Sequence, residues 1–236
     1  MAYDLKSEDE VKEYIQNLGT EYRFGCFSEK KPEVCHLLGD FLESISKDYQ
    51  KASKVYRSNC EDYNFGHSCY KIGTYYLTGK AGLAISGIKA YDYFKKGCSL
   101  GEANSCFRAG RLSILNVNKK QKDDKHFLEI PNTFLQGLEA LKQGCDKDHA
   151  DACHHLSALY MDGNTTEGDS LAKDMAKAFS YAMKACELGH VHACANVSLM
   201  YRRGEGVSKD EKNGEKYRLI AIERIHEANA PRVDAA

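Results

Sequence analysis

The chain has 236 residues, with 33 Lys and Arg against 34 Asp and Glu, for a formal net charge of −1. This balance excludes a nucleic-acid partner, because no basic excess exists to displace the counterions of phosphates, and it excludes electrostatic attraction to an anionic membrane on the same grounds. No stretch approaches the roughly 18 consecutive apolar residues that a spanning helix needs, so no membrane span is predicted.

Apolar residues recur with the period of α-helices and not with the alternation of strands. An opening helix is predicted near residues 8–24, with Ser7 before it and acids in its first turn. Five helix pairs follow, which makes about eleven helices, the last ending near residue 228. That last helix, from Gly214 to Glu227, has no cysteine and fits a terminal cap.

Ten cysteines fall into five pairs of nearly constant spacing along this helical pattern. The pairs are Cys26/Cys35, Cys60/Cys69, Cys98/Cys106, Cys145/Cys153 and Cys186/Cys194. On one continuous helix such partners would have Cα atoms about 12 Å apart, whereas a disulfide needs them within roughly 7 Å. The chain must therefore reverse between bonded partners, and turn-forming residues stand between them at Pro32, Gly66-His67, Gly101-Glu102, Asp148-His149 and Gly189-His190.

Each pair is thus interpreted as a disulfide across a turn between two helices. The alternative is five pairs of buried thiols, since free cysteine packs well as a small apolar residue. Random burial would not reproduce the same spacing five times, so the disulfides are favoured. For a closed loop of about nine residues, the chain-entropy model gives roughly 2.6 kcal/mol of stabilisation per disulfide.

Other residue types repeat together with the cysteines. Small residues stand four positions after the second cysteine of each pair and eight before the first cysteine of the last four pairs, namely Gly39, Gly73, Gly110, Ser157 and Ser198, and Ala52, Ala90, Gly137 and Ala178. These positions predict close approach of helix backbones, and larger apolar residues one turn away share the same face, among them Tyr56, Phe94 and Leu141.

The repeat spacing predicts the architecture. First cysteines are separated by 34, 38, 47 and 41 residues, which is the tetratricopeptide length class with insertions. The insertions, KKQKDDK at residues 119–125 and DGNTTEGDS at residues 162–170, are predicted to be surface loops. The prediction is an all-α fold, an α/α solenoid of five helix-pair repeats stapled by five disulfides, forming a single domain over residues 1–236.

Catalytic and metal motifs are missing from the sequence. There is no C-x2-C pair, serine-hydrolase elbow, phosphate-binding loop or dinucleotide fingerprint, so no catalytic residue and no metal ligand is predicted. Histidines cluster in two turns, with His149, His154 and His155 in one and His190 and His192 in the other. An axial histidine with Met161 or Met183 would suit non-covalent haem. Turn capping is favoured instead for His67 and His190, and positions on a helix surface for His154 and His155.

Tyrosines offer the clearest candidates for a binding surface. Tyr75, Tyr76, Tyr160 and Tyr201 occupy positions that would line the concave face a helical solenoid offers to partners. The simpler interpretation is packing between repeats with the hydroxyl at the surface.

Disulfides raise the question of compartment, because they persist in oxidising surroundings. The first residues, MAYDLKSEDEVKEYIQ, resemble neither a secretory signal peptide nor a mitochondrial matrix presequence. We therefore expect either a removed leader or an import route that recognises cysteines, as in the mitochondrial intermembrane space. The sequon at Asn164 lies in a predicted loop and would be glycosylated in the secretory pathway.

The segment KACELGHVHACANVSLMYRRGEGVSKDE, Lys184 to Glu211, resembles the Sel-like repeat pattern, with a helix ending in K-A, a G-H turn, a small-residue helix ending in tyrosine and a G-x-G-V loop. Together with EDEVKEYIQNL and SNCEDYNFGHSCYKIGTYYLTGKAGL, it is similar over nearly the whole chain to the metazoan Sel-like repeat family of cytochrome c oxidase assembly factors. The third repeat departs from the pattern in the insertion near residues 113–131.

The resemblance implies a function that the spacing alone does not. It implies a protein of the mitochondrial intermembrane space that promotes maturation of cytochrome c oxidase, with intramolecular disulfides, haem binding and a role toward the thiols of copper-delivery proteins. Because no cysteine pair differs from the others in a way that marks catalysis, a non-enzymatic assembly factor or scaffold is predicted. The implied partners are proteins of oxidase biogenesis, including copper-delivery proteins, and the oxidative import machinery. The alternatives are a haem-binding thiol-disulfide reductase acting on copper-delivery proteins, and a secreted cysteine-rich Sel-like repeat protein.

Overall fold

A computed structural model describes residues 6–118, 134–166 and 169–229 of the chain. Within these ranges the backbone forms eleven α-helices, as the sequence pattern predicts. They are α1 (Glu8–Phe27), α2 (Pro32–Ser44), α3 (Tyr49–Glu61), α4 (Gly66–Thr78), α5 (Gly87–Ser99), α6 (Ala103–Asn118), α7 (Phe134–Asp146), α8 (Ala150–Asp162), α9 (Met175–Glu187), α10 (Val191–Arg203) and α11 (Glu211–Asn229). A short 3-10 helix, Lys80–Gly82, follows α4. The N-cap of α1 is Ser7, whose side chain accepts from the backbone N–H of Glu10, as expected.

The turn between the two helices of a cysteine pair is built in the same way in each repeat. Five residues before the second cysteine, the backbone has a positive φ: 54° at Lys30, 54° at Asn64, 91° at Gly101, 59° at Asp148 and 97° at Gly189. The assignments of Pro32 and Gly66 to turns are therefore wrong, because these residues are the first of α2 and α4. Lys30 and Asn64 make these two reversals instead, and asparagine tolerates the left-handed region better than most side chains.

Neighbouring repeats pack where small residues allow it. A Cβ atom on Gly39 would lie 2.3 Å from the Tyr56 ring, one on Gly73 would lie 2.8 Å from Phe94, and one on Gly110 would lie 2.7 Å from Leu141. In the later repeats serine replaces glycine, and its hydroxyl donates to a backbone carbonyl across the contact: Ser157 to Ala178 at 2.8 Å and Ser198 to Gly214 at 2.6 Å. The predicted close approach at the small positions is confirmed.

The described residues group into two compact units, one ending at Ser105 and the other beginning at Cys106. In the first unit the fully buried side chains include Leu38, Tyr56, Ile72 and Phe94. In the second, one apolar cluster runs from Ile114 to Ala221 and includes the buried cysteines of the last two pairs. The single domain over residues 1–236 stays a prediction.

The two predicted loops have different outcomes. The insertion KKQKDDK lies outside the described residues. In DGNTTEGDS and the following Leu171 the backbone forms two short antiparallel strands, β1 (Asn164–Thr166) and β2 (Asp169–Leu171), with Asn164 opposite Leu171 and Thr166 opposite Asp169. The loop prediction is therefore wrong for these residues, because the β-branched threonines and the close turn signals favour a hairpin. No helix in the described ranges has both the length and the apolar character to cross a membrane.

Candidate functional site

The cysteines predicted to pair lie across the helix turns and are buried. The Cα atoms are 4.5 Å apart in Cys26–Cys35, 4.8 Å in Cys60–Cys69, 4.7 Å in Cys145–Cys153 and 4.6 Å in Cys186–Cys194, and each of these pairs is a disulfide. Cys98 and Cys106 are also in disulfide form. Exposure of the ten side chains ranges from 0% to 7%. Attack by an external thiol requires access to a sulfur atom, so this burial favours a structural role.

The Arg224 side chain lies beside the Cys186–Cys194 disulfide, a contact that the sequence did not indicate. Arg224 of α11 places Nη1 3.0 Å from the Cys194 sulfur and 3.9 Å from the Cys186 sulfur, and it also donates to the Cys186 carbonyl. A guanidinium beside a reduced cysteine would stabilise its thiolate. Cys186 and Cys194 are only 2% and 0% exposed, however, so the contact does not by itself make the pair reactive.

The histidines form two groups that differ from the groups in the sequence. The rings of His154 and His190 stack with centroids 4.0 Å apart, and His192 lies 5.9 Å from His190. His149 instead stacks on Phe107, which His155 meets edge to face. The predicted turn-capping role is confirmed for His190, whose Nδ1 accepts from the N–H of residue 193 at 3.2 Å. His149 caps α8 in the same way, accepting from the N–H of residue 152 at 3.2 Å, which the sequence did not indicate.

The remaining turn histidine behaves differently, since His67 lies inside α4 and does not cap it, which corrects the expectation for that residue. The N-cap of α4 is Phe65, and the His67 side chain is 64% exposed. His67 Nδ1 lies 3.9 Å from the carboxylate of Glu102.

The histidine cluster does not fit haem in this arrangement. Haem needs an open apolar slot beside its axial ligands, whereas one face of the His154 ring is covered by His190. Met161 and Met183 pack against the apolar cluster of the second unit. No group of three or more metal-binding side chains converges among the residues the structure describes. Non-covalent haem binding stays a prediction.

The stacked histidines predict a pH dependence of stability. Burial, followed by the nearby His190, lowers the pKa of His154 from 6.5 to about 4. The unfolded chain therefore takes up a proton first as the pH falls. The contribution of neutral His154 to the free energy of unfolding is constant above about pH 6.5. It is lost between about pH 6.5 and pH 4, and the loss is on the order of 1–2 kcal/mol after allowance for partial exposure.

Urea unfolding between pH 4 and pH 8 measures this effect, with His154→Gln as the test variant. The variant should show a smaller stability loss over that interval than the parent chain. Burial also lowers the pKa values of His155 and His190, so part of the slope should remain. An identical slope in parent and variant would contradict the assignment to His154.

A polar network around Tyr56 was missed by the sequence analysis, because it joins residues from three separate helices and the 3-10 helix. The Tyr56 hydroxyl donates to Asp40 at 2.6 Å and to Glu43 at 3.0 Å. Lys71 pairs with both carboxylates at 2.9 and 3.1 Å, and Lys80 pairs with Glu43. Burial opposes ionisation of Glu43, but the two lysines outweigh it and lower its pKa to about 2. The network fixes the Tyr56 ring against Gly39.

Three of the four predicted tyrosines, Tyr75, Tyr76 and Tyr160, are buried, and Tyr201 is partly buried, so packing between repeats is their main role. Tyr75 is 1% exposed and meets the Tyr56 ring edge to face, so it belongs to the core. The other three each stack on a tyrosine of the following helix: Tyr76 on Tyr93, Tyr160 on Tyr181 and Tyr201 on Tyr217, with centroids 5.6, 5.6 and 5.8 Å apart. Tyr93 and Tyr181 stand five residues before a first cysteine, a spacing that could have revealed them.

Basic side chains lie over these rings and border a groove in the first unit. Arg57 donates to the Tyr76 hydroxyl at 3.0 Å, and Lys89 lies 5.4 Å from the centroid of the same ring. Here "groove 2" denotes the cavity of about 490 Å³ lined by Arg57, Glu61, Tyr76, Lys89, Asp92, Tyr93 and Lys96. Its mixture of tyrosines, three cations and two acids is polar.

A second groove in the same unit has a different lining. Here "groove 1" denotes the cavity of about 350 Å³ lined by Arg23, Phe27, Leu38, Leu42, Lys51, Lys54, Val55 and Ser58. Its floor is aliphatic, with Leu38 and Leu42 only 1% and 5% exposed, and Phe27 forms a wall with 64% of its side chain exposed. Both grooves are open recesses at the surface of the first unit, with volumes that a side chain of another protein could occupy.

Comparison with known proteins gives a consistent result. The Sel1 repeat model matches residues 66–102, 150–190 and 191–224. The cytochrome c oxidase assembly factor 7 homolog of Drosophila melanogaster is 44% identical, over 94% of this chain and 92% of that protein. Cytochrome c oxidase assembly factor 7 of Xenopus tropicalis is 39% identical, over 91% of this chain and 89% of that protein.

A solved structure supports the fold independently. The crystal structure of a Sel1 repeat protein from Oxalobacter formigenes aligns with a TM-score of 0.67 at 17% identity, over 91% of this chain and 83% of that one. At this identity the likeness concerns the fold alone. The predicted all-α repeat fold with disulfide-stapled helix pairs is confirmed.

Proposed function

Because this chain belongs to the Sel1-repeat family that includes the cytochrome c oxidase assembly factor 7 proteins, we propose that it acts as a non-enzymatic assembly factor, a scaffold, in cytochrome c oxidase biogenesis. The observation that carries the proposal is the 44% identity to the Drosophila melanogaster protein over 94% of the chain. The surface grooves support a binding role. The partners are proteins of oxidase biogenesis, with copper-delivery proteins among them.

Its compartment is the mitochondrial intermembrane space. Disulfide-bonded cysteines support an oxidising compartment, and the similarity to cytochrome c oxidase assembly factors supports an association with mitochondria. The oxidative import machinery is then a transient partner that forms the disulfides.

Fractionation of mitochondria tests the compartment. Added protease should leave the protein intact in whole mitochondria and should digest it once only the outer membrane is ruptured, because the intermembrane space is then open. A matrix protein serves as the control that stays protected after this rupture. Recovery of the protein from the culture medium with a glycan at Asn164 would instead support the secreted alternative.

A specific observation favours one second function, thiol-disulfide exchange. The guanidinium of Arg224 lies 3.0 Å from the Cys194 sulfur, where it would favour a thiolate after reduction. Burial of both sulfurs opposes this function, since an attacking thiol must reach one of them. The scaffold is therefore the better-supported proposal, and haem handling is retained only as part of the reductase alternative.

Affinity purification from mitochondria in the presence of a thiol-trapping reagent separates the two functions. A scaffold should recover biogenesis proteins through contacts that survive reduction, with its own cysteines still oxidised. A reductase should recover a partner through a mixed disulfide that a reducing agent releases. Recovery of no oxidase-related protein under either condition would contradict the proposed function.

A further inference from the structure

Grooves 1 and 2 are the same structural feature in consecutive repeats. Arg23 stands three residues before Cys26, as Arg57 stands before Cys60, and Phe27 and Glu61 each follow their cysteine directly. Each groove is formed by the end of one cysteine helix and by the two helices that follow it. Residues at equivalent positions can therefore be compared directly.

That comparison shows that the first repeat has replaced the polar lining by an apolar one. The stacked pair Tyr76 and Tyr93 of groove 2 corresponds to Leu42 and Val55 in groove 1, which leaves the groove with an aliphatic floor. At the wall, the exposed carboxylate of Glu61 corresponds to the phenyl ring of Phe27. Phe27 is 64% exposed, so its ring adds open apolar surface to the aliphatic floor, and contiguous apolar surface of this kind is typical of interaction sites.

The charge on the rim has also changed. Groove 2 has two acids among its lining residues, whereas the charged lining residues of groove 1 are Arg23, Lys51 and Lys54. Lys54 takes the position of Asp92, which reverses the charge there. Lys51 pairs with Asp48 at 2.8 Å, but Arg23 and Lys54 have no carboxylate within 4.0 Å in the described part of the chain.

From this combination we infer that groove 1 binds an acidic amphipathic segment of a partner protein, with one large apolar side chain on the floor formed by Leu38, Leu42 and Val55 and carboxylates facing Arg23 and Lys54. A volume of about 350 Å³ accommodates such an anchor. The concave floor favours a peptide over a lipid surface, because a bilayer is entered by protruding side chains and cannot fill a recess. This inference specifies the partner chemistry of the proposed scaffold.

Fluorescence anisotropy with the purified, oxidised full chain tests the inference. The probe is a labelled synthetic peptide of about 16 residues, long enough for marginal helicity, with leucines on one face and glutamates elsewhere. The same peptide with lysine in place of every glutamate is its charge control. We expect saturable binding of the acidic peptide, weakened by added salt, and at least about tenfold weaker binding of the basic one.

The repeats supply the variants. Phe27→Glu and Lys54→Asp introduce the residues that groove 2 has at the same positions, and both sites are exposed, so the fold should tolerate them. Together the two substitutions should weaken binding of the acidic peptide by about tenfold or more, because an apolar contact is lost and a charge is reversed. Lys54→Asp alone should weaken binding of the acidic peptide and reduce the salt dependence of that binding. Lys89→Asp in groove 2 is the matched control and should leave the affinity unchanged.

Several outcomes would overturn the inference. They are absence of saturable binding, equal binding of the basic peptide, and equal loss with Lys89→Asp. Binding to anionic lipid vesicles that the groove 1 variants abolish, with no binding of the acidic peptide, would assign the patch to a membrane instead. The binding assay needs no mitochondria. If the purified chain did not bind the acidic peptide while oxidase assembly remained normal, the binding role of groove 1 would be refuted and the proposed function would stand.

Discussion

Replacing Tyr56 with alanine should lower the free energy of unfolding by about 3–5 kcal/mol, because a fully buried ring is lost and a cavity remains. The ring is 0% exposed, and its hydroxyl donates to Asp40 and Glu43. Replacing Gly39 with serine should independently cost about 1–3 kcal/mol through overpacking, since an added Cβ would lie 2.3 Å from the same ring. Chemical denaturation measures both values.

The double variant should be less destabilised than the sum of the two single variants. Ser157 and Ala182 already occupy the equivalent positions in a later repeat, where the serine hydroxyl donates to the Ala178 carbonyl at 2.8 Å. With Tyr56 reduced to alanine, a serine at position 39 has room to make the same bond to the carbonyl of Ala52. We expect a favourable coupling of about 0.5–3 kcal/mol.

A control separates this coupling from a general loss of stability. Leu37 lies on the same helix as Gly39 and is 44% exposed, so Leu37→Ala should change stability by only about 0.5 kcal/mol. Additive effects of the Gly39 and Tyr56 substitutions would contradict the proposed contact. Additive effects would mean that Gly39 is needed for the backbone conformation and not for close packing of the Tyr56 ring.

Removing the fifth disulfide should weaken folding without abolishing partner binding. Replacing Cys186 and Cys194 together by serine should lower the free energy of unfolding by roughly 2.6 kcal/mol, from the loss of loop closure alone. The change is measured by thermal denaturation, and oxidase assembly is measured in mitochondria that contain the variant in place of the parent chain. A scaffold should support assembly wherever the variant stays folded.

The fourth pair is the matched control for this prediction. Cys145 and Cys153 have the same sequence separation of 8 and are fully buried, so the same double replacement should have a similar effect on stability. Suppose that the Cys186 and Cys194 variant kept its melting temperature and its partners yet failed to support oxidase assembly, while the control variant supported it. The disulfide beside Arg224 would then be redox-active, and the non-enzymatic proposal would be wrong.

Local order in this protein follows from the sequence with few exceptions. Helical periodicity and the repeated cysteine spacing predict the eleven described helices and the pairing across turns, because both depend on contacts between residues close in the chain. The exceptions are also local. Asn64 and not Gly66 makes the second turn, since several residue types tolerate a positive φ, and Asn164–Thr166 pairs with Asp169–Leu171 where a loop was predicted.

Contacts between side chains of different repeats depend on how the helices pack, which no local pattern reveals. The His154 ring stacks on His190 and not on the adjacent His155. Arg224 contacts the sulfur of Cys194, which lies 30 residues earlier in the chain. The repeat, its small positions and its cysteine pairs are readable from the amino-acid pattern, because a periodic fold places the same residue types at the same local positions several times. The difference between an apolar and a polar groove arises where three helices converge, and its basis is a few side chains that no local period marks.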